Sequence, residues 1–265
     1  MSKTIPLFFL LLIVSTQSFA SEFLPWADIQ SRFSKVSKNL KALTHVRCFF
    51  ENYENEIFSL KKPRNKKYNT RCYSKKSISL DQKRYFSIID YTVPSDQKRM
   101  FIIDRLTGNI NKIAVAHGRY KAGFFNQTMK KNHNTIKEIK YYSNVENTMA
   151  SSSGFFIAGQ DFEASDFGRS LVVFGLEDGI NDNACDRNIV IHPHFLVTKS
   201  KAHVLSSGCM MVSPSSNDMV INRLKGTSND DMELQTSGGL VFIYGPREAS
   251  WSEFTCDGNF IPSKD

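Results

Sequence analysis

The chain has 265 residues, a formal net charge of +8 and five cysteines, which is long enough for one sizeable core with a small appendage and too short for several full domains. Hydrophobic residues at 41% and charged residues at 23% exclude an intrinsically disordered chain, and collagen-like, mucin-like and coiled-coil patterns are absent. An odd number of cysteines calls for an explanation if the chain matures in an oxidising compartment.

Residues 1 to 20 read as a cleavable secretory signal: a cationic start at Lys3, an apolar run from Ile5 to Val14, and a small-x-small exit at Ser18 and Ala20. The run is too short to span a bilayer well, so no stable membrane insertion is expected after cleavage. Loss of Lys3 leaves a net charge of +7 on residues 21 to 265. Outside a cell, a positive surface meets envelope lipids and wall polymers rather than nucleic acid. The run Lys61-Lys62-Pro63-Arg64-Asn65-Lys66-Lys67 lacks interleaved aromatics to stack bases and reads as a solvated loop, so no nucleic-acid partner is expected.

From residue 26 to about 55, Ile29, Phe33, Val36, Leu40, Leu43, Val46, Phe49 and Phe50 fall at spacings of three and four, which predicts an amphipathic helix. β-rich runs follow at residues 85 to 91, 99 to 104 and 110 to 117, with Thr107-Gly108-Asn109 as a hairpin turn between the last two. Residues 126 to 153 are polar and aperiodic, a long loop of the kind that is often functional. Strands are expected again at 154 to 158, 170 to 174, 188 to 192, 195 to 198 and 239 to 244. A helix over 217 to 224 would be capped by Ser215 or Ser216. The predicted organisation is a signal at 1–20, an N-terminal helical segment and basic loop at 21–80, a mainly β domain at 81–250 with few short helices, and a tail at 251–265.

The chemistry-bearing constellation is Ile189-Val190-Ile191-His192 followed by Leu205-Ser206-Ser207-Gly208-Cys209. A cysteine thiol is weakly ionised at neutral pH and needs an imidazole or a positive field to become a nucleophile. Gly208 lets the backbone bend and approach closely beside the sulfur. On spacing alone a buried structural cysteine is the commoner arrangement. His192-Pro193-His194 also suggests a zinc peptidase, with His117 or Asp166 as a third ligand.

From about Arg84 to Gly245 the chain resembles the murein L,D-transpeptidase catalytic-domain family, in its exported single-domain branch. The matching pieces run in order through Ser87-Ile88-Ile89-Asp90-Tyr91, Phe101-Ile102-Ile103-Asp104, Val115-Ala116-His117-Gly118, Phe125-Asn126 and Ser152-Ser153-Gly154-Phe155-Phe156. They continue through Gly168, Ser170-Leu171, Gly175-Leu176-Glu177, Gly179, Asn181-Asp182-Asn183-Ala184, Arg187, Ile189 to His192, Ser206 and Gly208-Cys209. The resemblance implies a β-sandwich or barrel and peptidoglycan stem peptides as substrate. It makes Cys209 the nucleophile, His192 the base oriented by the carbonyl after it, and the Gly208 and Cys209 amides the oxyanion hole. His117, Gly118, Ser206, Ser207 and Arg187 would bind substrate, although His117 equally suits a structural role, and Asn181, Asp182 and Arg187 read first as loop-fixing groups. No cofactor is implied, and the place of work would be the periplasm or cell envelope.

The implied reaction forms a thioester at the third residue of a tetrapeptide stem, releases D-alanine and transfers the acyl group to an amine as a 3-3 cross-link. Water as acceptor would give an L,D-carboxypeptidase. The chain departs from the family at Ser207, where His or Trp is usual, at Met210-Met211, where Pro-Ala is usual, and at Pro193, where glycine is usual. These departures raise the alternative of a non-catalytic wall-binding module. With Cys209 reduced, Cys48, Cys72, Cys185 and Cys256 form an even set with three possible pairings. Cys48 with Cys72 would pin the N-terminal helix, leaving Cys185 with Cys256.

Overall fold

A computed structural model describes residues 23–61, 76–121, 131–226 and 237–245. The described residues open with helices α1 (Trp26–Phe33) and α2 (Leu40–Tyr53) and an antiparallel pair of short strands, β1 (Ile57–Ser59) and β2 (Ser77–Ser79). It continues with β3 (Tyr85–Asp90), β4 (Met100–Asp104), β5 (Ile110–Ile113), β6 (Gly154–Ala164), β7 (Gly168–Gly175), β8 (Val190–Pro193) and β9 (Met210–Val212). Helix α3 (Pro214–Leu224) and β10 (Leu240–Tyr244) complete it. The signal segment, most of the basic run, Phe125-Asn126, Cys72 and Cys256 lie outside the described residues.

Strands β3 to β10 form one eight-stranded sheet in the order β5-β4-β3-β10-β6-β7-β8-β9. Its two edges meet: Val115, just past β5, bridges Val212 of β9, and the Ala116 amide donates to the Met211 carbonyl at 2.8 Å. The sheet is therefore a nearly closed barrel, which leaves few edge groups unpaired. Alternation along each strand sorts the side chains. Met100, Ile102, Phe156, Leu171, Val173, Ile191, Met210, Val241 and Ile243 fill one core with Val220, Ile221 and Leu224 of α3. Phe86, Ile88, Phe101, Phe155, Phe174 and Phe242 face the other way, onto Ile29 and Phe33 of α1 and Val46 and Phe49 of α2. Both faces are buried, so the strands read as continuous apolar runs.

Several boundaries differ from expectation. The predicted helix breaks at Ser34 to Asn39, where the Ser37 amide donates to the Phe33 carbonyl and the Asn39 side chain donates to Asp90 at 3.1 Å, turning α2 onto the sheet. Residues 195 to 198 do not make a strand. The Leu196 amide donates to His194 Nδ1 at 3.1 Å and the Val197 amide to the His194 carbonyl, so the chain turns, leaving one bridge from Val197 to Ala202. Helix α3 starts earlier than expected, after Ser213, because Pro214 suits the first turn, where its missing amide has no partner to lose. The hairpin at Thr107-Gly108-Asn109 forms, with Gly108 at φ 69°. Among the described residues no helix is long and apolar enough to cross a membrane.

Candidate active site

Strands β8 and β9 set the two expected reacting residues on one face of the sheet. Parallel partners share a face, and Ile191 pairs with Met210, both inside the barrel. His192, paired with Met211, therefore faces outward, and one step before β9 Cys209 stands level with Val190 on that same outer face. Thiol and imidazole are diagonal neighbours on adjoining strands.

The Nδ1 of His192 lies 3.0 Å from the Pro193 carbonyl oxygen. A carbonyl only accepts, so Nδ1 carries the proton and Nε2 is left with its lone pair. Proline in place of the usual glycine is harmless to this bond, because proline keeps its carbonyl. Phe167, at the tip of the β6–β7 hairpin and 47% exposed, sets its ring 4.4 Å from that of His192, which is 3% exposed. Burial lowers the His192 pKa from its ordinary value; the Pro193 bond opposes this and nearby His194 adds to it.

Cys209 is half-buried, and its thiol donates to the Asn188 carbonyl at 3.4 Å. Burial pushes the thiol pKa up, against the Val190 amide, the Arg187 charge and the thiol's own backbone amide. The thiol thus rests protonated on the Asn188 carbonyl, and the imidazole rests neutral.

The turn carrying the thiol is built from hydroxyls. Ser206 Oγ accepts from the Gly208 amide at 3.0 Å and donates to the Cys209 carbonyl at 2.7 Å. The Gly208 amide, expected at the oxyanion hole, is therefore engaged by Ser206. Gly208 itself adopts φ 120°, and a Cβ there would fall 2.6 Å from Ile189 Cδ1 and 2.7 Å from the Ala150 carbonyl oxygen. Ser151 Oγ accepts from the Gly118 amide at 2.9 Å and donates to the Gly208 carbonyl at 3.1 Å. Gly118 also bridges Ser206 in parallel. Gly118, Ser206 and Gly208 are thus brought together, but as the frame of the thiol turn.

His117 is placed elsewhere than a cleft wall. It is fully buried, Nδ1 lies 2.6 Å from an Arg99 guanidinium nitrogen, and Nε2 lies 3.0 Å from the Thr135 carbonyl oxygen. Arginine only donates, so Nδ1 accepts and Nε2 carries the proton. Burial and the Arg99 charge hold its pKa down at about 3. With both ring nitrogens engaged, His117 is unavailable as a third ligand for a metal on His192 and His194. Among the described residues no three His, Cys, Asp or Glu side chains gather to hold one.

Arg187 ties the segment before β6 to the site. Its guanidinium donates to the Ser143 carbonyl at 2.6 Å, the Ser152 hydroxyl at 2.7 Å and the Ala150 carbonyl at 2.6 Å. Burial lowers its pKa to about 10, with Cys209 and Glu146 opposing. Asn181 donates to the Ser153 and Phe155 carbonyls at 2.8 and 2.9 Å, and Asp182 accepts from Lys61 at 2.5 Å and from Asn144. A cleft of about 260 Å³ is lined by Glu146, Asn147, Met149, Asp186, Arg187, Asn188 and the exposed Ser207; Cys209 and His192 are not part of its lining. Met210 and Met211 are buried in cores and do not reach it. Cys48 and Cys185 are disulfide-bonded and Cys209 is free; the pairings with Cys72 and Cys256 fall outside the described residues.

Ser151, Phe167 and Asn188 escaped the sequence reading. Ser151 adjoins the matched Ser152-Ser153-Gly154 piece, but nothing in the spacing distinguishes it. Phe167 sits beside the matched Gly168 in a turn, where a lone aromatic carries no signal.

A family model described as the L,D-transpeptidase catalytic domain matches residues 59–229. No curated protein matches the chain. Among solved structures, the chain is similar to an L,D-transpeptidase from Mycobacterium smegmatis, at 9% identity over 63% of this chain and 61% of that one, with a TM-score of 0.33. It is also similar to the helical cell shape determining protein Pgp2 from Campylobacter jejuni, at 13% identity over 69% of this chain and 51% of that one, with a TM-score of 0.35. The chain thus spans about half to three fifths of the length of these structures.

Proposed function

Because the chain belongs to the L,D-transpeptidase catalytic domain family, we propose that it is a cysteine acyltransferase of peptidoglycan, exported to the periplasm or cell envelope and using stem peptides as substrate. The observation that carries this reading is the His192 tautomer: Nδ1 is fixed on the Pro193 carbonyl, so Nε2 is a base on the face that Cys209 shares.

The Cys209 proton passes to His192 Nε2 as the sulfur attacks the carbonyl carbon of the third stem residue. The Cys209 amide, which lies against its own sulfur, meets the resulting oxyanion. Collapse breaks the C–N bond to the terminal D-alanine, whose amine takes the proton from the imidazolium, and a thioester remains. The amine of a second stem then attacks, gives its proton to Nε2, and expels the sulfur, which recovers that proton. The product is a 3-3 cross-link. The positive net charge suits an anionic wall polymer.

A second reading, the L,D-carboxypeptidase that uses water as acceptor, is favoured by the small, exposed Ser207 on the cleft wall. A decayed binding module, suggested by Ser207 and Met210-Met211, has less support, since Met210 and Met211 are core residues. Purified protein incubated with disaccharide-tetrapeptides and followed by mass analysis tests the reading: cross-linked dimers with loss of D-alanine support it, and Cys209→Ala abolishes them. Unchanged muropeptides with the wild-type protein would overturn it.

A further inference from the structure

Backbone strain is concentrated around the cleft. Among the described residues, the non-glycine positions with positive φ are Tyr120 at 42°, Asn147 at 62°, Met149 at 54° and Asn188 at 55°. Asn147, Met149 and Asn188 line the cleft, and the Tyr120 amide donates to the Met149 carbonyl at 3.2 Å. Left-handed backbone is tolerated by asparagine and is costly for a residue as bulky as tyrosine, so it persists where the side chain it places has a use.

The Tyr120 ring stacks on Tyr141, with centroids 5.3 Å apart and planes 22° apart. His133 abuts both, at 5.4 Å and 5.9 Å. Tyr141 is 48% exposed and His133 is exposed. The rings are not needed to hold this loop down. The His133 amide already donates to the Tyr120 carbonyl at 2.9 Å, the Asn134 amide to the Arg119 carbonyl at 3.1 Å, and the Asn134 side chain to the Gly118 and Tyr141 carbonyls at 2.9 Å each. An aromatic shelf is thus left partly open, joined by a backbone hydrogen bond to the wall of the cleft that Arg187 and Ser207 line.

We infer that the Tyr120–His133–Tyr141 shelf binds the aminosugar backbone of peptidoglycan while the attached stem lies in the cleft. The argument rests on the proposed substrate. Ring faces are apolar and electron-rich, complementary to the C–H face of a pyranose, and Tyr141 and His133 add hydroxyl and imidazole groups that hydrogen-bond at its edge.

The test compares two substrates of the same enzyme, a disaccharide-tetrapeptide and the same tetrapeptide without sugars, in wild type, Tyr141→Ala and Tyr141→Phe. The expected result is that the wild type prefers the glycosylated substrate in kcat/KM, that Tyr141→Ala lowers this preference at least about fivefold, chiefly through KM, and that Tyr141→Phe, which keeps the ring, retains most of it. An unchanged preference in Tyr141→Ala, or an equal loss in Tyr141→Phe, overturns the shelf. Should the wild type turn over neither substrate, the acyltransferase reading fails instead. Circular dichroism of each variant separates loss of fold from loss of preference.

Discussion

The hydroxyl of Ser151 donates to the carbonyl of Gly208 at 3.1 Å, fixing the peptide that precedes the thiol from a segment more than fifty residues away. The same oxygen accepts from the Gly118 amide, so one buried atom joins the segment after β5 to the thiol turn.

Replacing Ser151 by Ala leaves that carbonyl and that amide without their partner in the interior. A stability loss of about 1–3 kcal/mol is expected, together with a roughly tenfold slower acylation of Cys209 by a carbapenem, the kinetic equivalent of about 1.4 kcal/mol. Ser151→Thr, which keeps the hydroxyl, should recover most of the rate. Denaturant melts and mass-detected labelling measure the two effects. Acylation at the wild-type rate in Ser151→Ala would remove Ser151 from the positioning of the thiol.

The pKa directions at His192 and Cys209 give the pH dependence. Lowered below its ordinary value, His192 stays neutral and able to accept a proton below pH 6.5, so the acid limb of acylation should fall below that value. Raised above its ordinary value, the thiol should react with iodoacetamide, which needs the free thiolate, only with a midpoint above pH 9. The two profiles should therefore be well separated. Their coincidence near neutrality would show a preformed thiolate–imidazolium pair.

Phe167 covers His192 without being buried itself, so Phe167→Ala should alter the base more than the fold. Readmitting water to the imidazole raises its pKa toward 6.5 and moves the acid limb of acylation upward, with a change in stability under about 1 kcal/mol. The pH profile of labelling in the variant is the measurement, and an unmoved acid limb would leave Phe167 without this role.

Stability should fall on acidification for a reason apart from the thiol. His45 is held at about 4 by burial, with Lys41 adding to it, and His117 at about 3 by burial and Arg99. Both folded values lie below the unfolded value of 6.5, so the unfolded chain binds protons first. Their contribution is complete above pH 6.5 and is lost as pH falls toward 4 and 3, roughly 3 kcal/mol for His45 and roughly 5 kcal/mol for His117 when fully expressed. Urea midpoints between pH 7 and 4 should drop steeply, and His117→Gln, which can still accept from Arg99 and cannot titrate, should flatten the curve.

The strand runs and the hairpin at Gly108 were legible because burial on both faces writes continuous apolar stretches, and Gly208 marks the bend before Cys209. Closure of the barrel was not legible, since the Val115–Val212 bridge joins residues nearly a hundred apart whose pairing leaves no local pattern. The burial of His117 was equally hidden. Its partner Arg99 precedes β4 and reads in the sequence as one more surface cation beside Lys98, whereas it is fully buried. The turn at 195 to 198 misled because Phe195 and Leu196 have strand-like side chains but stand 78% and 40% exposed.

The protonated resting state of Cys209 bears on how the chain acquires its cross-links. Thiol–disulfide exchange proceeds through the thiolate, at a rate set largely by the fraction ionised. In a chain whose Cys48 and Cys185 are disulfide-bonded, a thiol whose pKa is held above its ordinary value is a poor competitor in bridge formation. The raised thiol pKa therefore spares Cys209 from mispairing during maturation.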